Sequence, residues 1–243
     1  MQYSKGFFDL QIRFAQTVAR VIDVPLERAL LEYTNLYVRF GLGRAFNQDH
    51  PIWRRYIDGL SEAADICDWT YRFFAGRPKD LQPPLLVATF GCFSYARQDA
   101  ECVRIHFHNR EPSAVSPLST PCLAARLAEL RSLFDHVRRT ERAVVRVAGT
   151  SWLYNVRAYQ RCFPANYVAS AKVAEFRFGN MSLWGQFLDR YGAVKVAMAE
   201  EFMQRLSGAT DFHALARSFP LQALAVDAPI TQFYRFYGLE NAC

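Results

Sequence analysis

Residues 102–108 read CVRIHFH, and this strict alternation of apolar and polar side chains decides the fold class of the second part of the chain. Side chains of a β-strand point alternately to opposite faces. Val103, Ile105 and Phe107 therefore share one face, and Arg104, His106 and His108 share the other. Residues 85–95 are rich in Val, Leu, Phe and Thr and are separated from this stretch by a short polar break. The pattern predicts two antiparallel strands.

The two histidines of this strand have three interpretations. His106 and His108 place two imidazoles on one face, which can bind a metal when a third ligand joins them. Glu111 is near in sequence, but Pro112 leaves the direction of its side chain open. The other interpretations are a catalytic or ligand-contacting role, and an ordinary strand face covered by solvent or a partner.

A loop rich in Ser and Pro, residues 109–120, leads from this strand into a long amphipathic helix that Thr120 can cap. Free N–H groups at a helix N-terminus attract phosphate, so Arg110, Ser116, Ser119 and Thr120 are candidate phosphate ligands. Ordinary helix capping is the alternative. The chain has no GxxxxGK[ST], GxGxxG or GxSxG run, which argues against P-loop, Rossmann and α/β-hydrolase sites.

A buried strand is predicted at 143–148, and Gly149 ends it. Polar and aromatic side chains beyond the end of such a strand often line a ligand crevice. Trp152, Tyr154 and Asn155 therefore form the favoured pocket wall. Alternatively, the rings fill the space between sheet and helix, and Asn155 caps the next helix.

The first third of the chain carries apolar residues at three- and four-residue steps, which predicts amphipathic helices. One of them is predicted over 26–40, with Asp23 as its N-cap and Pro25 in its first turn, and another follows one apolar stripe over 53–74. A boundary is favoured in the Pro- and Gly-rich stretch 76–84. We therefore predict an α+β fold, with a helical N-terminal subdomain (1–82) packed on an α/β subdomain (83–243).

Further elements are predicted within the α/β part. The pattern indicates a strand at 172–178 and helices at 182–191, 194–206 and 211–218. The aromatic tail at 221–238 fits either a short helix or an edge strand.

Composition limits the classes of protein. The 243-residue chain has a net charge of +6, and its 25 Arg and 4 Lys are spread along it rather than clustered. This spread argues against a nucleic-acid surface, so a nucleic-acid-binding protein is the least favoured of the functions that the sequence suggests. No signal peptide or membrane-spanning run is recognisable, so we expect a cytoplasmic protein. The six cysteines include no CxxC pair, so zinc ribbons and redox motifs are not expected.

The order of predicted secondary-structure elements from Leu85 to Leu206 resembles that of the GNAT-type acyl-CoA N-acyltransferases. It is an antiparallel strand pair, a loop, a long helix, a strand, a short helix and a further strand. The residues that look like that family's Asn…Ala…Tyr…Phe signature are Asn155, Ala158, Tyr159 and Phe163. The segments similar to a bacterial acyltransferase-like group with a helical N-terminal domain are Ser151–Tyr154, Phe163-Pro164 and Phe176–Phe178.

The resemblance implies transfer of an acyl group from a CoA or carrier-protein thioester to an amine, with acyl-CoA or acetyl-CoA as co-substrate and no metal. Tyr159 or Tyr154 would be the acid, and His106 or His108 the base or a substrate contact. The implied coenzyme ligands are Arg110, Ser116, Ser119, Thr120 and Asn155. The implied substrate-pocket residues are Trp152 and Arg104.

The resemblance also implies a geometry. Two neighbouring parallel strands should part at their ends and open a slot, with Ser116–Thr120 as its floor and Trp152–Asn155 at its side. The 110–120 loop contains no glycine, whereas the family usually carries an Arg/Gln-x-x-Gly-x-Gly/Ala run there. That departure favours the alternative function, a catalytically silent module that binds a small ligand or a protein.

Overall fold

The structure is a computed structural model that describes residues 3–77, 86–109, 115–174 and 182–240. It combines helices with a mixed six-stranded open sheet, which confirms the predicted α+β class. The helices are α1 (Lys5–Val21), α2 (Leu26–Tyr33), α3 (Leu36–Arg39), α4 (Pro51–Glu62), α5 (Ile66–Ala75), α6 (Leu123–Thr140), α7 (Arg157–Gln160), α8 (Ala165–Ala169), α9 (Val196–Ser207), α10 (Phe212–Arg217) and α11 (Ile230–Phe236). The strands are β1 (Ala88–Phe90), β2 (Phe93–Arg97), β3 (Cys102–Phe107), β4 (Arg146–Ser151), β5 (Lys172–Val173) and β6 (Leu224–Pro229).

Contacts between residues divide the chain into two compact units. Unit 1 contains the described residues of 1–82 and 175–222, and unit 2 contains those of 83–174 and 223–243. Residues 182–222, which the boundary predicted at 76–84 placed in the α/β subdomain, thus belong to unit 1 with the described residues of 1–82. Within them, 182–187 form a 3-10 helix rather than the start of an α-helix.

Unit 1 is organised around α1, whose inner face is aromatic. Phe7, Phe8 and Phe14 are fully buried. The ring centroid of Phe14 lies 5.5 Å from that of Trp184 and 5.1 Å from that of Phe219. Burying a large apolar side chain stabilises a fold by roughly 1.5–3 kcal/mol, so this face is a major source of the stability of unit 1.

The predicted continuous helix over 26–40 is wrong, because the chain breaks between α2 and α3. Thr34 has an extended backbone, its hydroxyl donates to the carbonyl of Leu30, and the same oxygen accepts from the N–H of Leu36. Gln11 of α1 accepts from the N–H of Asn35. Buried side chains thus satisfy backbone groups that a continuous helix would satisfy itself.

Two further local predictions in unit 1 are corrected. Asp65 interrupts the long apolar stripe of 53–74, since its carboxylate caps α5 by accepting from the N–H groups of Cys67 and Asp68. Asp23 does not cap α2, because it adopts a left-handed backbone (φ 52°) and Pro25 precedes the helix.

The sheet of unit 2 has the strand order β1-β2-β3-β4-β6-β5. Four of its five strand pairings are antiparallel, and β3 with β4 is the parallel one. Parallel neighbours need a long crossover connection, and α6 lies in it. The carboxyl ends of β3 and β4 therefore lie at the same end of the sheet.

Two strand predictions for unit 2 differ from the structure. Residues 88–97 form a hairpin, β1 and β2, rather than one strand, and Gly91 turns between them with φ +55°. The strand predicted at 143–148 is shifted to β4, so that Gly149 lies inside it. Of the strand predicted at 172–178, Lys172–Val173 pair with β6, and 175–178 lie outside the described residues.

The aromatic tail at 221–238, predicted as either a short helix or a strand, contains a strand followed by a helix. β6 pairs with all six residues of β4, and α11 follows it directly. Pro229 ends the strand and immediately precedes the helix, where its fixed φ is compatible with a helical start.

A buried carboxylate joins β2 to the end of α6. Glu141 has an 8% exposed surface and accepts hydrogen bonds from Tyr95 (3.1 Å) and from Arg97 (2.8 and 3.0 Å). The hydrogen bond from Arg97, with that from Tyr95, holds the pKa of Glu141 below its ordinary value against the opposing effect of burial.

We expect Glu141→Gln to destabilise the protein by about 1–2 kcal/mol at pH 7, because a charge-assisted acceptor is lost. A carboxyl group whose pKa is lowered by folding stabilises the fold above its unfolded pKa of about 4.3. That contribution is lost as the pH falls through the lower folded pKa. Denaturant unfolding from pH 7 to pH 3 should show the difference shrinking toward low pH, whereas the exposed Glu101→Gln control should show little difference.

Candidate functional site

The parallel strands β3 and β4 pair only at their beginnings. The register joins Cys102 to Arg146, Val103 to Val147 and Arg104 to Ala148. Beyond these pairs, residues 105–107 pair with β2 and residues 149–151 pair with β6. Within the described part of the chain, the facing edges of these two segments have no strand partner, and we call the space between them the strand gap.

The predicted parting of two parallel strands is therefore present, but the core side of the strand gap is not open. The ring of Tyr159 lies 5.8 Å from that of Phe107 and 5.2 Å from that of Tyr154. Tyr154 and Tyr159 are only 1% and 2% exposed. Aromatic rings thus fill the core side, so an occupant of the gap would contact the strand edges.

The two tyrosines that the resemblance marks as acids come from consecutive short helices. Tyr154 lies in a 3-10 helix (Trp152–Asn155) directly after β4, and Tyr159 lies in α7. The hydroxyl of Tyr154 is 2.8 Å from that of Tyr167 in α8 and also hydrogen-bonds Tyr159. Burial raises the pKa of Tyr154 to about 12 and that of Tyr159 well above its ordinary value. Both phenols are neutral hydrogen-bond donors near pH 7.

Gly149 makes room for these hydroxyls. A Cβ atom at this position would lie far inside van der Waals contact of the Tyr154 hydroxyl oxygen and 2.6 Å from that of Tyr167. The tyrosine hydroxyls therefore lie against β4 at the point where it separates from β3. The sequence reasoning missed Tyr167, although a glycine inside a strand often signals a close approach of this kind.

The loop before α6 contributes hydroxyl groups. Ser119 precedes a 3-10 helix (Thr120–Cys122), and its buried Oγ has no hydrogen-bond partner among the described residues. Thr120 does not cap α6 as predicted, because it is the first residue of the 3-10 helix that precedes α6, and its Oγ1 accepts from Arg161. Ser116 is exposed, and its carbonyl accepts from the N–H of Ser119. Arg110 lies outside the described residues.

Arg161 is the residue at this end that sequence reasoning did not select. Its Nη1 donates to Thr120 Oγ1 (3.1 Å) and its Nη2 to the carbonyl of Leu118 (2.7 Å). Its Nε is buried without a hydrogen-bond partner, and no described carboxylate pairs with the guanidinium. The side chain thus joins the α6 loop to the segment after α7, and it brings an unneutralised positive charge beside two hydroxyl groups.

The polar face of β3 lies opposite the tyrosines. Val103, Ile105 and Phe107 face the aromatic core, so Arg104 and His106 face the other side. His106 is paired in register with Ser94, which is fully buried and whose Oγ has no described partner. Arg104 donates to the side chain of Gln98 (3.0 Å).

Three other predicted residues have clear positions. His108 follows the end of β3 and so is not part of the alternating strand face, and its N–H donates to the carbonyl of Cys92. Asn155 is exposed and donates to the carbonyl of Trp152 (2.8 Å), so it does not cap α7 as predicted. Trp152 is half-buried at the start of that 3-10 helix.

The structure therefore places the predicted residues in three groups within unit 2. The tyrosines lie on the core side of the strand gap, Arg104 and His106 lie on the other face of β3, and Ser119 and Thr120 lie beside Arg161. Within 3–77, 86–109, 115–174 and 182–240, no three His, Cys, Asp or Glu side chains come together as a metal site would require. None of the described helices is long and apolar enough to cross a membrane.

Comparison with known proteins found no family model, curated protein or solved structure that matches this chain.

We expect Gly149→Ala to destabilise the protein by about 1–3 kcal/mol, because the added methyl group overlaps the Tyr154 hydroxyl. Replacing Tyr154 by Phe in the same chain should recover part of the loss, which a double-mutant cycle in urea measures as a coupling energy. Gly208→Ala is the matched control, since its Cβ would have its nearest neighbour at 3.8 Å. Equal effects of the two glycine substitutions would contradict the proposed close packing.

Proposed function

We propose that unit 2 binds the phosphopantetheine arm of an acyl-CoA, or of an acyl carrier protein, and transfers the acyl group to an amine. The observation that carries the proposal is the strand gap. Backbone N–H and C=O groups without a strand partner accept an extended amide-containing chain by strand addition. A pantetheine arm is such a chain, since it contains two amides.

The group around Arg161 supports a phosphate position next to the gap. The buried Ser119 hydroxyl and the guanidinium of Arg161 are both suited to an anion. Side chains would here take the place of the usual glycine-rich loop. The arrangement therefore supports binding of coenzyme phosphates without the glycines that the sequence lacks.

The tyrosines support the chemical step. In the proposed reaction the amine nitrogen forms a bond to the thioester carbonyl carbon, and the carbon–sulfur bond breaks to release a thiolate. The hydroxyl of Tyr154 or Tyr159 donates a hydrogen bond to the developing thiolate and supplies its proton. The amine loses a proton to His106 or to water, so charge and protons balance.

The second candidate is a module that binds the same arm without catalysis. Two observations favour it: aromatic rings fill the core side of the strand gap, and the α6 loop lacks glycine. The two candidates share the binding step and differ only in the release of free thiol.

Binding is tested first, by calorimetry with acetyl-CoA and with pantetheine. Arg161→Gln should weaken acetyl-CoA binding about tenfold, or about 1.4 kcal/mol, and leave pantetheine binding unchanged, because only the coenzyme carries the diphosphate. Arg157→Gln is the matched control, since Arg157 is an exposed arginine at the start of α7, four residues before Arg161. Absence of binding to several acyl-CoAs, or equal losses in both variants, would contradict the proposal.

Catalysis is tested by release of free thiol from acyl-CoAs in the presence of a panel of amines. Replacing the acid by phenylalanine should lower kcat by a factor on the order of 10² and leave the Kd for acyl-CoA nearly unchanged. Tyr154→Phe and Tyr159→Phe are compared, with Tyr234→Phe as the control. Tight binding with no thiol release by the unsubstituted protein would favour the silent module.

A further inference from the structure

Unit 1 contains an arginine whose charge no described carboxylate neutralises. Arg39 ends α3, its Nη1 donates to the Tyr3 hydroxyl (2.5 Å), and its Cζ lies 4.7 Å from the centroid of the Tyr3 ring. The Nε of Arg39 is buried and has no hydrogen-bond partner in the described parts of the chain. The Nη1 of the guanidinium thus donates to a phenol oxygen, whereas its Nε has no described acceptor.

The electrostatic surroundings of Arg39 make this arrangement costly for the bare protein. Burial lowers the pKa of Arg39, and the positive charge of nearby Arg44 lowers it further, against the favourable effect of the Tyr3 hydroxyl. Among the described residues, the ion pairs of unit 1 involve other cations: Lys5, Arg13, Arg28, Arg54, Arg72 and Arg205. A desolvated guanidinium without a counter-charge is strongly unfavourable, so the site is suited to an anion.

A hydroxyl group beside Arg39 can donate a hydrogen bond to the same anion. The Tyr3 hydroxyl accepts from Arg39, and no described acceptor takes its own proton. Arg77 reaches the same turn, where its Nε donates to the carbonyl of Phe40 (3.1 Å). Arg77 is therefore engaged in capping the end of α3, whereas Arg39 and Tyr3 retain donor capacity.

We propose that the guanidinium of Arg39 and the hydroxyl of Tyr3 form a binding site for a small oxyanion of the phosphate type, with the positive charge of nearby Arg44 adding to the attraction. The planar fork of an arginine matches the oxygens of phosphate, and the phenol beside it supplies a further donor. This site belongs to unit 1 and does not depend on the proposed acyl transfer.

The test uses inorganic phosphate as the probe on the full chain, in Arg161→Gln protein so that the α6 region does not contribute. Phosphate should raise Tm by about 2–5 °C above chloride at the same ionic strength, because it binds the folded state. Acetate is the second arm, and a smaller shift with acetate separates a phosphate site from a carboxylate site.

Variants locate the effect. Arg44→Gln and Tyr3→Phe should each reduce the phosphate shift by at least half, and Arg39→Met should abolish it. Arg28→Gln is the matched control, because Arg28 is an exposed arginine already paired with Glu32. Because Arg39→Met can prevent folding, the proposal is tested by the phosphate shifts of the milder variants Tyr3→Phe and Arg44→Gln. No phosphate shift, or a shift that both of these variants retain in full, would overturn the proposal.

Discussion

The absence of a side chain at Gly149 is the constraint on which the candidate site depends. It lets the hydroxyls of Tyr154 and Tyr167 lie against β4 at the point where that strand leaves β3. β4 keeps its partner β6 along its whole length, so the separation from β3 does not cost the strand its place in the sheet. The result is a firmly held strand with one unpaired edge beside a neutral network of phenols.

Many of the described arginines form ion pairs, either along a helix as Arg13 with Asp9, or across the fold as Arg97 with Glu141. Such pairs account for much of the positive charge without any ligand. Arg161 and Arg39 differ, since each has a buried Nε without a described partner, pairs with no described carboxylate and donates from Nη1 to a hydroxyl oxygen. Because a desolvated charge without a counter-charge is costly, both positions are suited to an anion.

Much of the fold could be predicted because its signals are local. The alternation in 102–108 indicated β3, and the three- and four-residue steps indicated α1, because each element buries one face of itself. The break at Thr34 could not be predicted, since it depends on Gln11 of another helix. For the same reason 221–238 remained undecided: β6 exists because β4 supplies a partner, and no short-range pattern contains that partner.

The candidate site was predictable in part. Tyr154 and Tyr159 were selected by resemblance, and their environments depend on burial that no sequence spacing gives. Arg161 was missed because its role arises from contacts with Thr120 and Leu118, about forty positions earlier in the chain. Thr120 was assigned a cap because its residue type favours one, whereas the arginine competes for the same oxygen.

The most direct test of this account is amide hydrogen exchange along the facing edges of β3 and β4, read residue by residue with and without acetyl-CoA. The account predicts rapid exchange for the edge amides within 105–107 and 149–151 in the free protein, beside slow exchange at the paired positions 103 and 147. It also predicts clear protection of those edge amides when the coenzyme binds. Edge amides that are already as protected as the paired ones, and that do not respond to any acyl-CoA, would contradict it.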